Sequence, residues 1–145
     1  MITKMDLITL KINIETLLKL AKEKDLIEKS IMGEENRVIV CNAEFSNKVN
    51  LLNSNVEYKR IKEDMWKFIK SLSEYELNIL FMAFSVGRIG PDHEDNYIKE
   101  YKIQLEKAKK LCKDEHYIED KFIETTYDWL KKFLIKGFNY WEKSI

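Results

Sequence analysis

A chain of 145 residues with 45% hydrophobic and 12% aromatic side chains carries enough apolar material for one packed core, which excludes a wholly disordered chain. Its 25 basic and 25 acidic side chains cancel to a formal charge of zero. The basic excess that gives nucleic-acid binders their phosphate affinity is therefore missing, and no nucleic acid is expected as a partner. Four glycines and one proline are too few to punctuate a sandwich or barrel of short strands, which leaves an all-α fold.

In chain order, Asn13 reads as the N-cap of a first helix, because its side-chain oxygen can accept a first-turn backbone N–H. Ile14, Leu17, Leu18 and Ala21 then recur at helical spacing, with Lys and Glu on the other face through Lys24. Leu26, Ile27 and Ile31 extend the pattern to a stop before Gly33. Residues 37–41 read as a short strand or an extended packing segment. Phe45, Val49 and Leu52 mark a short helix closed by Asn53, Ser54 and Asn55. From Val56, a longer helix places Ile61, Met65, Phe68 and Leu72 on one face.

Ser73 and Glu76 have the spacing of a capping box. They open a helix over 77–86 that is apolar nearly all round, interrupted only by Asn78 and Ser85, as befits a helix buried on several sides. Gly87 and Gly90 are expected to stop it. Pro91 and Asp92 start the next element, a charged helix with Tyr97, Tyr101, Leu105, Ala108 and Cys112 along one stripe. Ile118, Phe122 and Ile123, then Leu130, Phe133, Leu134, Gly137, Phe138 and Trp141, complete the apolar pattern. Thr125 and Thr126, with Asp128 as a capping residue, divide that stretch into two helices. The expected architecture is a single domain over 1–145, a bundle of about five to seven helices around the nearly all-apolar one.

Cys41 and Cys112 lie far apart, and the first residues lack an apolar run of signal-peptide length, so two reduced thiols in a cytoplasmic protein are expected. No run approaches the roughly 20 apolar residues of a membrane span, and no membrane association is expected. The scarcity of Ala, Gly, Pro and Arg beside abundant Lys, Ile and Asn suggests an AT-rich genome, bacterial or phage.

Two constellations carry potential chemistry. His93 sits among Asp92, Glu94 and Asp95, while His116 follows Asp114 and Glu115 and precedes Glu119 by one turn. A His and a Glu three apart share a helix face and can both ligate a metal, although acidic residues at a helix start also serve the dipole without any ligand. Arg88, in a chain with three arginines, lies between Gly87 and Gly90. There it is either a fork for a carboxylate or phosphate or a cation that relieves a helix C-terminus. No nucleophile elbow and no glycine-rich phosphate loop occurs. Trp66 and Tyr140, lying off their stripes, are the candidates for exposed partner-binding anchors.

The segments IETLLKLA at 14–21 and FIKSLSEYEL at 68–77, the Gly87-Arg88 pair closing the apolar helix, and residues 130–138 with Gly137 near their end together resemble a family of uncharacterised bacterial helical domains, known only as a domain of unknown function. The resemblance implies an all-α fold and emphasises Arg88, and it implies no activity. In that family an acidic residue closely follows the Gly-Arg pair, whereas here Ile89, Gly90 and Pro91 precede Asp92. The function expected is a non-enzymatic protein-binding module of the immunity or inhibitor type, with no cofactor and with Arg88, Asp92, Trp66 and Tyr140 as contact residues. The alternative is a metal-dependent enzyme built on His93, His116 and Glu119. Whether the chain forms a homo-oligomer stays open.

Overall fold

The computed structural model describes residues 2–33, 43–90, 103, 106–107, 110 and 117–143. Residues 37–41, both cysteines, Asp92, His93, the stripe from Tyr97 to Cys112 apart from single positions, and His116 lie outside the described residues. Among the described residues there are six helices and no strand, and all of the helices but the one at 43–54 contribute to one hydrophobic core.

Helix α1 (Lys4–Met32) begins ten residues earlier than Asn13 as N-cap would have it. Thr3 is the N-cap: its Oγ1 accepts from the Asp6 N–H at 3.1 Å, and the Thr3 N–H donates to Asp6 Oδ2 at 2.9 Å. That reciprocal pair is a capping box with Asp in the place usually held by Glu. Burial alone raises the Asp6 pKa. Hydrogen bonds from the Thr3 backbone and the Tyr75 hydroxyl outweigh it and hold the carboxyl below its ordinary 3.8. At the other end Gly33 takes a positive φ of 83°, and its N–H caps the Lys29 carbonyl. Leu10, Ile14, Leu17 and Ala21 face the core. Asn13 lies inside the helix and is buried, so it caps nothing.

Helix α2 (Ala43–Ser54) is the short helix expected around Phe45 and Leu52, and it packs on α1 and α3. Helix α3 (Val56–Ser71) is capped by Asn55, whose Oδ1 accepts from the Tyr58 N–H at 2.9 Å. Its buried row is Tyr58, Ile61, Met65 and Ile69; Phe68 is half-buried against the core and Leu72 is the C-cap.

Helix α4 (Glu74–Ile89) starts where Ser73 Oγ accepts from the Glu76 N–H at 3.1 Å. Every residue from Asn78 to Gly87 is buried, as a helix apolar on all sides requires. Gly87 does not end this helix. It lies within it, and Gly90 alone provides the stop, with φ 78° and its N–H on the Val86 carbonyl.

Helices α5 (Tyr117–Glu124) and α6 (Tyr127–Lys143) are separated at Thr125 and Thr126. The Thr126 carbonyl accepts the Leu130 N–H, so Thr126 holds the cap position and Asp128 belongs to the first turn. Leu130, Leu134, Gly137 and Trp141 form the buried row of α6. That row runs along α4, the most extensive helix pair of the fold, and α1 and α5 close the core around it.

The role of Gly87 is set by that pairing. A β-carbon at Gly87 would lie 2.6 Å from the Phe133 carbonyl carbon, and one at Gly137 would lie 2.6 Å from that of Ala83. Position 83 faces 137 and position 87 faces 133, so α4 and α6 run antiparallel with two glycines at their contact. Two backbones approach this closely only where side chains vanish. Around the crossing, Phe84 meets Phe122 and Phe133 edge-on, each at 5.6 Å between centroids, and Phe81 lies 6.2 Å from Phe122. Such arrangements place ring edges against ring faces.

Lys24 also departs from the expected charged face. It is 7% exposed, with Nζ 2.6 Å from Glu28 Oε1, and the same oxygen accepts the Tyr58 hydroxyl at 2.9 Å. Burial, the adjacent Glu28 charge and that hydrogen bond push the Tyr58 pKa far above its ordinary 10.0. A raised folded-state pKa gives stability that is fully present below about pH 10 and lost as pH rises through the raised value. Tyr58→Phe is expected to cost about 1–2 kcal/mol at pH 7, because Glu28 loses one donor and keeps Lys24. Urea unfolding at pH 7 and pH 10.5 checks this: the wild type should lose stability between the two, and the difference from Tyr58→Phe should shrink.

Candidate functional site

Arg88 is exposed on the last turn of α4, as its position between the two glycines implied. It makes no hydrogen bond or ion pair to a described residue. Asp92, its expected companion, lies outside the described residues, as do His93 and His116. Glu119, the third member of the expected metal set, is 8% exposed, and its Oε1 lies 3.5 Å from Lys70 Nζ. The same ammonium lies 5.2 Å from the centre of the Trp66 ring. The fold thus joins Trp66 and Glu119, read separately in the sequence, through Lys70, and gives Glu119 a partner that needs no metal. Among the described residues, no three His, Cys, Asp or Glu side chains are grouped to hold a metal ion.

Trp66 and Tyr140 are half-buried instead of freely exposed, with Tyr140 packed against the core edge. Tyr140 nonetheless belongs to a larger surface. On α6, positions 128, 132, 136, 139 and 143 are spaced by three and four, so Asp128, Lys132, Lys136, Asn139 and Lys143 form one row on the face turned away from the core. Lys131 flanks it, and none of these four lysines is ion-paired to a described residue. Lys24, Lys29, Lys48, Lys67 and Lys70 have carboxylate partners, whereas Lys11, Lys19, Lys22 and Lys62 resemble the α6 lysines in having none among the described residues.

Aromatic rings run alongside the lysines. Lys132 Nζ lies 5.0 Å from the Trp129 ring centre, Lys131 lies 5.9 Å from Tyr127, and Lys136 lies 6.0 Å from Tyr140. Trp129 is 49% exposed and stacks on Phe133 at 5.4 Å, which meets the buried Phe84. The outermost ring is therefore braced through a second ring into the core. Tyr127, Lys131, Lys132, Lys136, Tyr140 and Lys143 help to line a groove of about 560 Å³ along this helix. With four ammonium groups against the one carboxylate of Asp128, and with braced rings, the face is suited to holding an anionic surface by charge and stacking.

No family model, no curated protein and no solved structure matches this chain.

Sequence reasoning selected Tyr140 and missed Trp129, Lys132 and Lys136. Their signal was present: plotted at 100° per residue, Lys132, Lys136 and Lys143 fall opposite the Leu130–Trp141 row. A zero net charge averaged over the chain conceals that local asymmetry.

Among the described residues, no helix is long and apolar enough to cross a membrane.

Proposed function

We propose that the protein is a non-enzymatic binding module of the immunity or inhibitor kind, which docks an acidic surface of another protein on the outer face of α6. One observation carries the reading: four lysines without described ion-pair partners stand beside braced, partly exposed aromatic rings on one helix face. Charge complementarity speeds and orients encounter, while Trp and Tyr supply most of the contact energy at protein interfaces. A Trp already stacked on Phe133 loses little freedom on docking, which favours affinity. The bacterial and cytoplasmic setting expected from composition belongs to this reading, with Arg88 and Trp66 as additional candidate contacts.

The test is quantitative capture from a lysate of the encoding organism, followed by titration of the purified partner. The partner should be acidic, and Lys132→Glu with Lys136→Glu should weaken it by about ten-fold or more, equivalent to roughly 1.4 kcal/mol or more. Raising salt should weaken the wild type more than the double variant. The double variant should melt within about 2 °C of wild type, because both side chains are exposed and off the core. A partner held equally by both proteins would remove α6 as the surface. A purified DNA or RNA duplex that competes with the captured protein would overturn the assignment of partner class.

A further inference from the structure

The buried Asn13 that caps nothing opens onto a second, separate site. It is 8% exposed, yet its amide makes no hydrogen bond to a described residue, and no buried side-chain polar atom among the described residues is both enclosed and unbonded. Its polar atoms therefore face open space. That space is a pocket of about 130 Å³ between the N-terminal turns of α1 and α4, lined by Asp6, Thr9, Asn13, Ser73, Tyr75 and Glu76 among others. Asn is a poor helix former, and its amide, opening on the pocket without a described partner, is available to a ligand.

The lining defines that ligand. Asp6 Oδ2 is occupied by the Thr3 N–H and the Tyr75 hydroxyl, the latter at 2.8 Å, whereas its Oδ1 accepts no described hydrogen bond. Glu76 is half-buried and has no described partner. No cationic side chain appears among the lining residues. Two helix N-termini contribute roughly half a positive charge each, and the chain's N-terminal charge also acts on Asp6, which leaves at most about one net negative charge from the two carboxylates. A monovalent cation balances that charge and a divalent metal overshoots it. Asn13 offers both an acceptor and a donor, and Thr9 and Ser73 add hydroxyls, so a ligand with an oxygen beside its ammonium uses the set fully. In size, an engineered cavity of about 150 Å³ holds benzene, so this pocket suits about six heavy atoms or fewer.

We propose that this pocket binds a small amino alcohol, with Asp6 and Glu76 as counter-charges to its ammonium and the Asn13 amide fixing its orientation. The site shares no residue with the α6 face and stands or falls independently of it.

The test titrates the full chain at pH 7 with 4-amino-1-butanol, butylamine, 1,4-butanediol and calcium chloride, followed by calorimetry and the ¹⁵N-resolved side-chain signals of Asn13. The amino alcohol should saturate and shift the Asn13 Nδ2 signals, butylamine should bind several-fold more weakly, and the diol and calcium should not saturate. Asn13→Leu and Glu76→Gln should each weaken the amino alcohol by ten-fold or more. Asn13→Leu should melt at the wild-type temperature or above, since Leu is the better helix former. Saturation by calcium or by the diol, unmoved Asn13 signals, or a large fall in melting temperature in Asn13→Leu would each overturn the proposal.

Discussion

Gly87→Ala and Gly137→Ala should each destabilise the protein by roughly 3–5 kcal/mol, far above the usual effect of adding a methyl group to a helix. In an exposed helix the same change stabilises, because alanine is the better helix former. Here the sign reverses, because each new β-carbon would fall on a carbonyl of the facing helix, Phe133 for Gly87 and Ala83 for Gly137. The obstacle is backbone in both cases, so no rotamer change relieves it. The helices must separate along their whole contact and loosen the packing of Phe84, Leu130 and Leu134. Urea unfolding should show the loss, and the melting temperature should fall by about 10 °C or more. Gly90→Ala is the control. Open space surrounds that position, but its φ of 78° and ψ of 153° lie where L residues are strained, so the cost should be about 1–3 kcal/mol. Equal, small losses at all three positions would mean that α4 and α6 do not meet through their glycines.

The same glycines show where sequence reading succeeds and where it stops. The apolar helix of 77–86 was legible because ten buried residues in succession leave a signal that does not depend on neighbours. The division at Thr125 and Thr126 and the Ser73 cap were legible for a similar reason: caps and breaks are local chemistry. Gly87 was misread because a glycine that ends a helix and one that admits a neighbouring helix look identical in one dimension. Only the partner, Phe133, distinguishes them, 46 positions away in the chain. Asn13 was misread in the same way. It has cap chemistry, but Thr3 and Asp6 closed the box earlier with a less common pair, and the helix then ran straight through Asn13.

The candidate site was less legible than the fold. The proposed docking face rests on what a surface leaves uncompensated, and that depends on which lysines find carboxylates. Lys70 and Glu119 stand on different helices, so their pairing is invisible in sequence, and Glu119 reads there as a free ligand. Lys132 and Lys136 stand in a helix that also carries Asp128 and Glu142, and the sequence does not show whether they pair. Folding leaves both without a described ion pair.

Phe122→Ala should cost about 3–5 kcal/mol and release α5 from the fold. The ring is fully buried and lies edge-on to both Phe84 and Phe81, so truncation leaves a cavity beside the α4–α6 crossing. The effect on α5 should exceed that of an ordinary core truncation. At eight residues α5 is too short to persist without tertiary support, and its fully buried side chains are Ile118 and Phe122. What remains after truncation is Ile118, the partly buried Ile123 and the Lys70–Glu119 pair. That pair is stretched to 3.5 Å and its lysine is half-exposed, so it contributes at most about 1 kcal/mol. Hydrogen exchange separates the two consequences. Global destabilisation accelerates the slowest amides of α4, while release of α5 removes protection from 118–124 at denaturant concentrations where α4 is still intact. Glu119→Gln should leave that local protection nearly unchanged. If it strips α5 as fully as Phe122→Ala does, the ion pair and not the aromatic cluster holds α5 in place, and the core must be redrawn to end at α4.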